Sequence, residues 1–164
     1  YSDTVFDPFY KTKNGKDGDA AFLDVGTPVY AVKGYDPHFV LAARRNDTYV
    51  IYMSDANPNA MTGADLMDLE GKVDYIGVNS PQDSDTELAA IKDQSQIDAL
   101  VEMILRAPVD QKFRKDSDSP VYFLAFQMKD GITFTRPYFA YPNVLDRGIH
   151  LPDKFRTVIS SALQ

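Results

Sequence analysis

The chain has 164 residues and a mass of 18.4 kDa, with 44% hydrophobic and 25% charged residues, an ordinary globular composition large enough for a real core in one domain or two small ones. Its 24 Asp+Glu outnumber 17 Lys+Arg, giving a net charge of −7 and a pI of 4.7, so no basic surplus exists to displace counterions from nucleic-acid phosphates or to dock on an anionic membrane. Cysteine is absent, which excludes disulfides, thiolate zinc sites, Cys-ligated clusters and cysteine nucleophiles.

Nearly all the acidity is aspartate, since the only glutamates are Glu70, Glu87 and Glu102. Aspartate favours caps and turns, so this bias, beside many Tyr, Phe and Val residues, predicts a sheet-rich protein with many turns. No apolar run approaches the roughly 20 residues that span a bilayer, and no signal peptide is seen. The chain starts at Tyr1 without Met, and we expect a trimmed piece or a mature secreted fragment.

In chain order, aromatics (Tyr1, Phe6, Phe9, Tyr10) lead into a polar, Gly-containing loop from Lys11 to Asp19. Such a density of rings predicts packing on the body of the protein. Residues 28–33 form a strand candidate, and Gly34-Tyr35-Asp36-Pro37 a turn. Residues 38–45 and 48–53 suit a hairpin across Asn46-Asp47, both tolerant of positive φ. A loop over 54–63 precedes one or two helical turns at 64–69. Residues 72–79 and 86–91 are strand candidates joined by a turn at 80–85.

A helix follows, with Asp93 as N-cap and Gln96 three residues on. Ile97, Leu100, Val101, Ile104 and Leu105 share one face, and Pro108 stops it. A second hairpin joins 120–128 to 132–137 through Lys129-Asp130-Gly131. Its first strand is apolar on both sides, which predicts a central strand covered on both faces. Leu151-Pro152-Asp153 opens a last helix with Phe155, Val158, Ile159 and Ala162 on one side and Pro152 near its first position.

The expected fold class is therefore α+β: an antiparallel sheet with helices packed on one face, in the order strand-strand-helix-strand-strand-helix in the C-terminal part. The expected division is a strand-rich module at 1–70 and an α+β module at 71–164, or one merged domain.

Residues Val73 to Val78, Ile91-Lys92-Asp93, Ile97 to Leu105, Val121 to Phe134, and the phrase Val32-Lys33-Gly34-Tyr35-Asp36-Pro37 together resemble small extracytoplasmic modules of Gram-positive bacteria. Those modules occur in lipoproteins and behind membrane-embedded zinc peptidases of the antibiotic-sensor type. The resemblance implies an extracytoplasmic, non-catalytic accessory module. The peptidase motif His-Glu-x-x-His does not occur here, so no catalytic residue is carried over.

Four constellations carry possible chemistry. His38 and His150 are the only imidazoles, too few for a zinc site; His150 near Asp146 is the one acid–base candidate, and no metal or cofactor is expected. The Asp-rich loops (Asn14, Asp17, Asp19 and Asp24; Asp83, Asp85 and Glu87; Asp116 and Asp118) offer oxygen ligands for calcium but lack the EF-hand pattern. No Gly-x-Ser-x-Gly elbow or Gly-rich phosphate loop is present, and no carboxylate pair stands out as a glycosidase pair. The run from Arg136 to Pro142 sets three aromatic rings between two prolines, which are expected to deny regular strand pairing and leave a short irregular segment at the surface. Arg136, Tyr138, Phe139 and Tyr141 are the candidate binding residues, because Tyr and Arg favour binding hot spots. The competing reading has these rings covering the core.

The expected function is a non-enzymatic extracytoplasmic interaction or sensor module of a bacterial surface protein, with a protein or cell-surface partner. The alternatives are an Asp-dependent hydrolase and a purely structural domain.

Overall fold

The computed structural model describes residues 26–53, 57–114 and 121–164. The aromatic N-terminal run and the acidic groups at 14–24 and 116–118 lie outside them. The chain forms two compact units, Tyr1–Asn57 and Pro58–Gln164.

In the first unit, β1 (Val29–Ala31), β2 (Val40–Arg45) and β3 (Thr48–Met53) form an antiparallel sheet in the order β1-β2-β3. The central strand carries the buried residues Val40, Leu41, Ala42 and Ala43. The turn before it is built by Asp36, whose carbonyl accepts the N–H groups of Phe39 and Val40 and whose carboxylate accepts that of His38. This turn extends through Phe39, so β2 begins two residues later than 38. In the hairpin Arg45 pairs with Thr48, and only Asn46 of the two turn residues takes a positive φ, 56°.

The second unit holds a six-stranded antiparallel sheet: β4 (Val73–Asn79), β5 (Glu87–Ile91), β6 (Val121–Met128), β7 (Thr133–Phe139), β8 (Val144–Leu145) and β9 (Ile149–His150), in the order β5-β4-β6-β7-β8-β9. Two helices, α1 (Gln94–Arg106) and α2 (Asp153–Ala162), complete the α+β layer pair in the expected order. The last two strands were not anticipated. At two residues each, they are too short to show an alternating pattern.

Residues 58–70, grouped by sequence with the N-terminal part, pack on α1. Gly63 donates its N–H to the Ala107 carbonyl at 2.9 Å, and Val109 donates to Met61 at 3.0 Å. A Cβ on Gly63 would sit 1.9 Å from the Ile104 carbonyl oxygen, so this approach admits only glycine. The helical turns expected at 64–69 reduce to one 3₁₀ turn, Gly63–Asp65. Asp65 holds its start by accepting the N–H groups of Met61 and Thr62 at 2.9 and 2.8 Å.

Helix α1 begins as expected: Asp93 accepts the Gln96 N–H at 2.9 Å and the Ser95 hydroxyl at 2.7 Å. It ends at Arg106 because Ala107, preceding Pro108, takes the extended conformation that a following proline favours. Ile97, Leu100, Val101 and Ile104 are buried, whereas Leu105 is only half-buried at the flank of the stripe. In α2, Phe155 and Ile159 are buried, Val158 and Ala162 half-buried, and Pro152 is the N-cap.

Strand β6 lies between β4 and β7, the central position expected. Its two sides differ, however. Leu124, Phe126 and Met128 are buried with Ile76, Val78 and Phe134 on the helical side. Val121, Phe123 and Ala125 are half-buried, because both helices pack on the other face. The β6–β7 turn follows the Asp-Gly signal: Gly131 takes φ 91° and donates to Met128, while Asp130 accepts the Ile132 N–H at 3.1 Å.

Truncating Leu100 or Ile104 to alanine leaves a cavity under the sheet, since both are fully buried. Each variant is expected to lose about 2–5 kcal/mol in urea unfolding; a loss below about 1 kcal/mol would contradict the burial of this face.

Candidate functional site

Strand β7 delivers the candidate binding residues, and strand alternation splits them between faces. Pro137 does not interrupt the pairing with β6, contrary to the expectation that the prolines would leave this segment irregular. Met128 donates to the Ile132 carbonyl, which makes 128/132, and every second pair from it, hydrogen-bonded. Pro137 faces Phe123 at an intervening pair, so its missing N–H lies on the outer side, where β8 reaches only Tyr138 and Phe139.

Tyr138 is 1% exposed and stacks edge-on against Phe155 at 5.6 Å between centroids. Burial pushes its phenol pKa well above the ordinary value. Phe139, on the opposite face, is buried against Phe113 at 5.6 Å. Arg136 is 14% exposed; its guanidinium lies 3.6 Å from the Asp146 carboxylate and over the Phe134 ring. Burial raises the Asp146 pKa, and the Arg136 charge opposes that shift. Tyr141, past the end of the strand, is 64% exposed. The four residues therefore do not share one surface: Tyr138 and Phe139 are core side chains, and Tyr141 is the exposed ring.

The segment after β7 is held by Asn143, a residue not singled out from the sequence. Its side-chain oxygen accepts the Tyr138 hydroxyl at 2.6 Å, and its amide nitrogen donates to the carbonyls of Leu151 and Pro152 at 2.8 and 2.9 Å. Its backbone accepts from Leu151 and donates to Phe139. It adopts φ 71°, which asparagine tolerates better than most residues. A Pro-Asn pair after an aromatic strand is a turn signal that could have drawn attention to it.

This anchorage sets α2 beside the end of β7 and leaves a cleft of about 280 Å³. Tyr122, Tyr138, Tyr141, Ile159 and Leu163 supply rings and apolar side chains, and Arg156 supplies a cation. The Arg156 guanidinium lies over the Tyr141 ring at 5.4 Å, donates to Asp153, and reaches the Ala140 carbonyl at 3.5 Å. Sequence reasoning reached Tyr138 and Tyr141 but missed Arg156 and Tyr122, because strand and helix meet here with no local spacing to connect them.

The other constellations resolve into local structure. His38 is exposed and bonds Asp36, two residues away, at 3.0 Å. The carboxylate beside His150 is Asp110, whose Oδ2 lies 3.9 Å from Nε2. Asp83 accepts the N–H groups of Asp85 and Thr86 and the Thr86 hydroxyl, so it caps the β4–β5 turn. Among the described residues, no group of three or more His, Asp or Glu side chains is placed to hold a metal ion. Likewise, no helix among them is long and apolar enough to cross a membrane.

Comparison with protein-family models, curated proteins and solved structures returns no match.

Two expectations follow. Asn143→Ala orphans the buried Tyr138 hydroxyl and removes a donor from the Leu151 and Pro152 carbonyls, the second of which still accepts the Phe155 N–H, and should lose at least about 2 kcal/mol in urea unfolding. Asn143→Gly tolerates the positive φ yet loses the same bonds, and should be similarly destabilised; near wild-type stability for Asn143→Gly would show that the bonds contribute little.

The second concerns acid. Hydrogen bonds hold three carboxyls below the ordinary 3.8: Asp65 chiefly through the Thr62 N–H, Asp83 through the Thr86 hydroxyl and Asp93 through the Ser95 hydroxyl. The unfolded state then takes up protons first as pH falls, so their contribution is present above pH 3.8 and is lost through the depressed folded values. Asp83→Asn should flatten the fall of unfolding midpoint with pH below 3.8; an unchanged slope would contradict this role.

Proposed function

We propose that this chain is a non-enzymatic extracytoplasmic interaction or sensor module of a bacterial surface protein, and that its contact surface is the cleft rimmed by Tyr141. The observation that carries the reading is the exposed Tyr141 ring with the Arg156 guanidinium stacked on it, beside a concavity walled by further tyrosines. Large, stiff rings lose little rotamer entropy on binding, and a stacked guanidinium is already oriented. The roles of the aspartates point the same way: Asp65, Asp83 and Asp93 are engaged in holding turns and a helix start. The compartment in this reading rests on the sequence resemblance of Val32 to Pro37, Val73 to Val78, Ile91 to Asp93, Ile97 to Leu105 and Val121 to Phe134 to extracytoplasmic modules of Gram-positive bacteria.

The test of the compartment is protease treatment of intact cells that make the protein, followed by immunodetection of the chain. Digestion without lysis is the expected result. Protection until the cells are lysed, while a known surface protein is digested, would overturn the extracytoplasmic assignment.

A further inference from the structure

We infer that the cleft between α2 and the end of β7 binds a small organic carboxylate with an apolar body, either a free acid or the terminal residue of a peptide. The inference rests on the cleft being the contact surface, and it names the chemistry that the surface takes.

The volume argues first. About 280 Å³ lies just below the ~300–1,000 Å³ of sites that enclose drug-sized ligands, so the occupant has the size of one residue or one small aromatic acid. The walls argue next. Tyr122, Tyr138, Tyr141, Ile159 and Leu163 offer rings and aliphatic surface, which favour an apolar body over a sugar or a bare ion.

Charge then fixes the other end. Among the described residues lining the cleft, Arg156 is the only charged side chain. Its carboxylate partner, Asp153, is 88% exposed and does not line the cleft. A guanidinium carries five N–H donors in a planar fork. Its bonds to Asp153 and to the Ala140 carbonyl engage two of them. Stacking on Tyr141 fixes the plane of the group, and its side chain is 31% exposed. What remains is three N–H donors on an oriented plane, with the charge shared with the Asp153 carboxylate, and planar N–H donors match the oxygens of a carboxylate. A phosphate dianion would call for a second cation, and none lines this cleft among the described residues.

The experiment is an NMR titration of the whole ¹⁵N-labelled chain with four probes: 3-phenylpropionate, its amide, a tripeptide ending in phenylalanine with a free carboxylate, and inorganic phosphate. The acid should shift the resonances of Tyr122, Tyr141, Arg156 and Leu163 with a millimolar Kd, and the amide should bind at least about tenfold more weakly. A tighter tripeptide would identify a peptide terminus as the source, and a weaker one a free acid. Arg156→Met should abolish the preference for acid over amide, and Arg156→Lys should retain part of it. The acid–amide comparison uses the unmodified chain, so a poorly folded variant does not decide the matter. Equal binding of acid and amide, shifts centred elsewhere, no shifts at millimolar acid, or phosphate binding as tightly as the acid would each overturn the inference. Any of these results leaves the surface location, read by protease treatment, standing or falling separately.

Discussion

The buried amide of Asn143 ties together three parts of the second unit. Its oxygen takes the hydroxyl of Tyr138 from β7, its nitrogen holds the carbonyls of Leu151 and Pro152 ahead of α2, and its backbone closes the loop through β8 and β9. A buried hydroxyl or carbonyl without a partner costs about 1–3 kcal/mol, and this one side chain accepts the Tyr138 hydroxyl and supplies a donor to each of the two carbonyls. Because the amide fixes where α2 starts, it also fixes where Phe155 lands on Tyr138. One residue further along the helix, Arg156 then falls beside Ala140 and Tyr141. The cleft is thus a consequence of the same polar knot that closes the core.

Sheet and helix layers were legible wherever a periodic apolar pattern ran long enough to show a face. The stripe of Ile97, Leu100, Val101 and Ile104 and the alternation in β6 belong to this class, and the Asp93 cap and the Asp-Gly turn were visible as local chemistry. Strands β8 and β9 were not, because two residues cannot display a period. They are held by pairing: Val144 and Leu145 with the nearby end of β7, and Ile149 by a bridge from the distant Val109. The same limit explains Gly63, whose fit against Ile104 depends on a close approach that no neighbouring residue announces.

The aromatic run after Arg136 shows how a sequence reading of a site divides in space. Adjacent residues in a strand face opposite ways, so Tyr138 and Phe139 enter different layers and neither is presented to solvent. Composition correctly marked the run as unusual; alternation determined which rings the core would take. The prolines were weighed as breakers of pairing, yet Pro137 is accommodated at a position whose nitrogen faces away from β6. Strand register, invisible in one segment alone, therefore decided whether the proline broke the strand or merely occupied it.

Tyr141 escapes the core because strand alternation no longer governs it. The strand stops at Phe139, and Asn143 four residues on is already drawn inward by its three bonds. Between them, Tyr141 is the ring left outside the core, at 64% exposure. A lone exposed tyrosine would be unremarkable. This one lies against a guanidinium that is also tied to Asp153 and to Ala140, so ring and cation hold each other in place at the mouth of a concavity. Part of the ordering that a ligand would otherwise have to impose is already present in the free protein, and that is the condition under which so small a cleft can bind selectively.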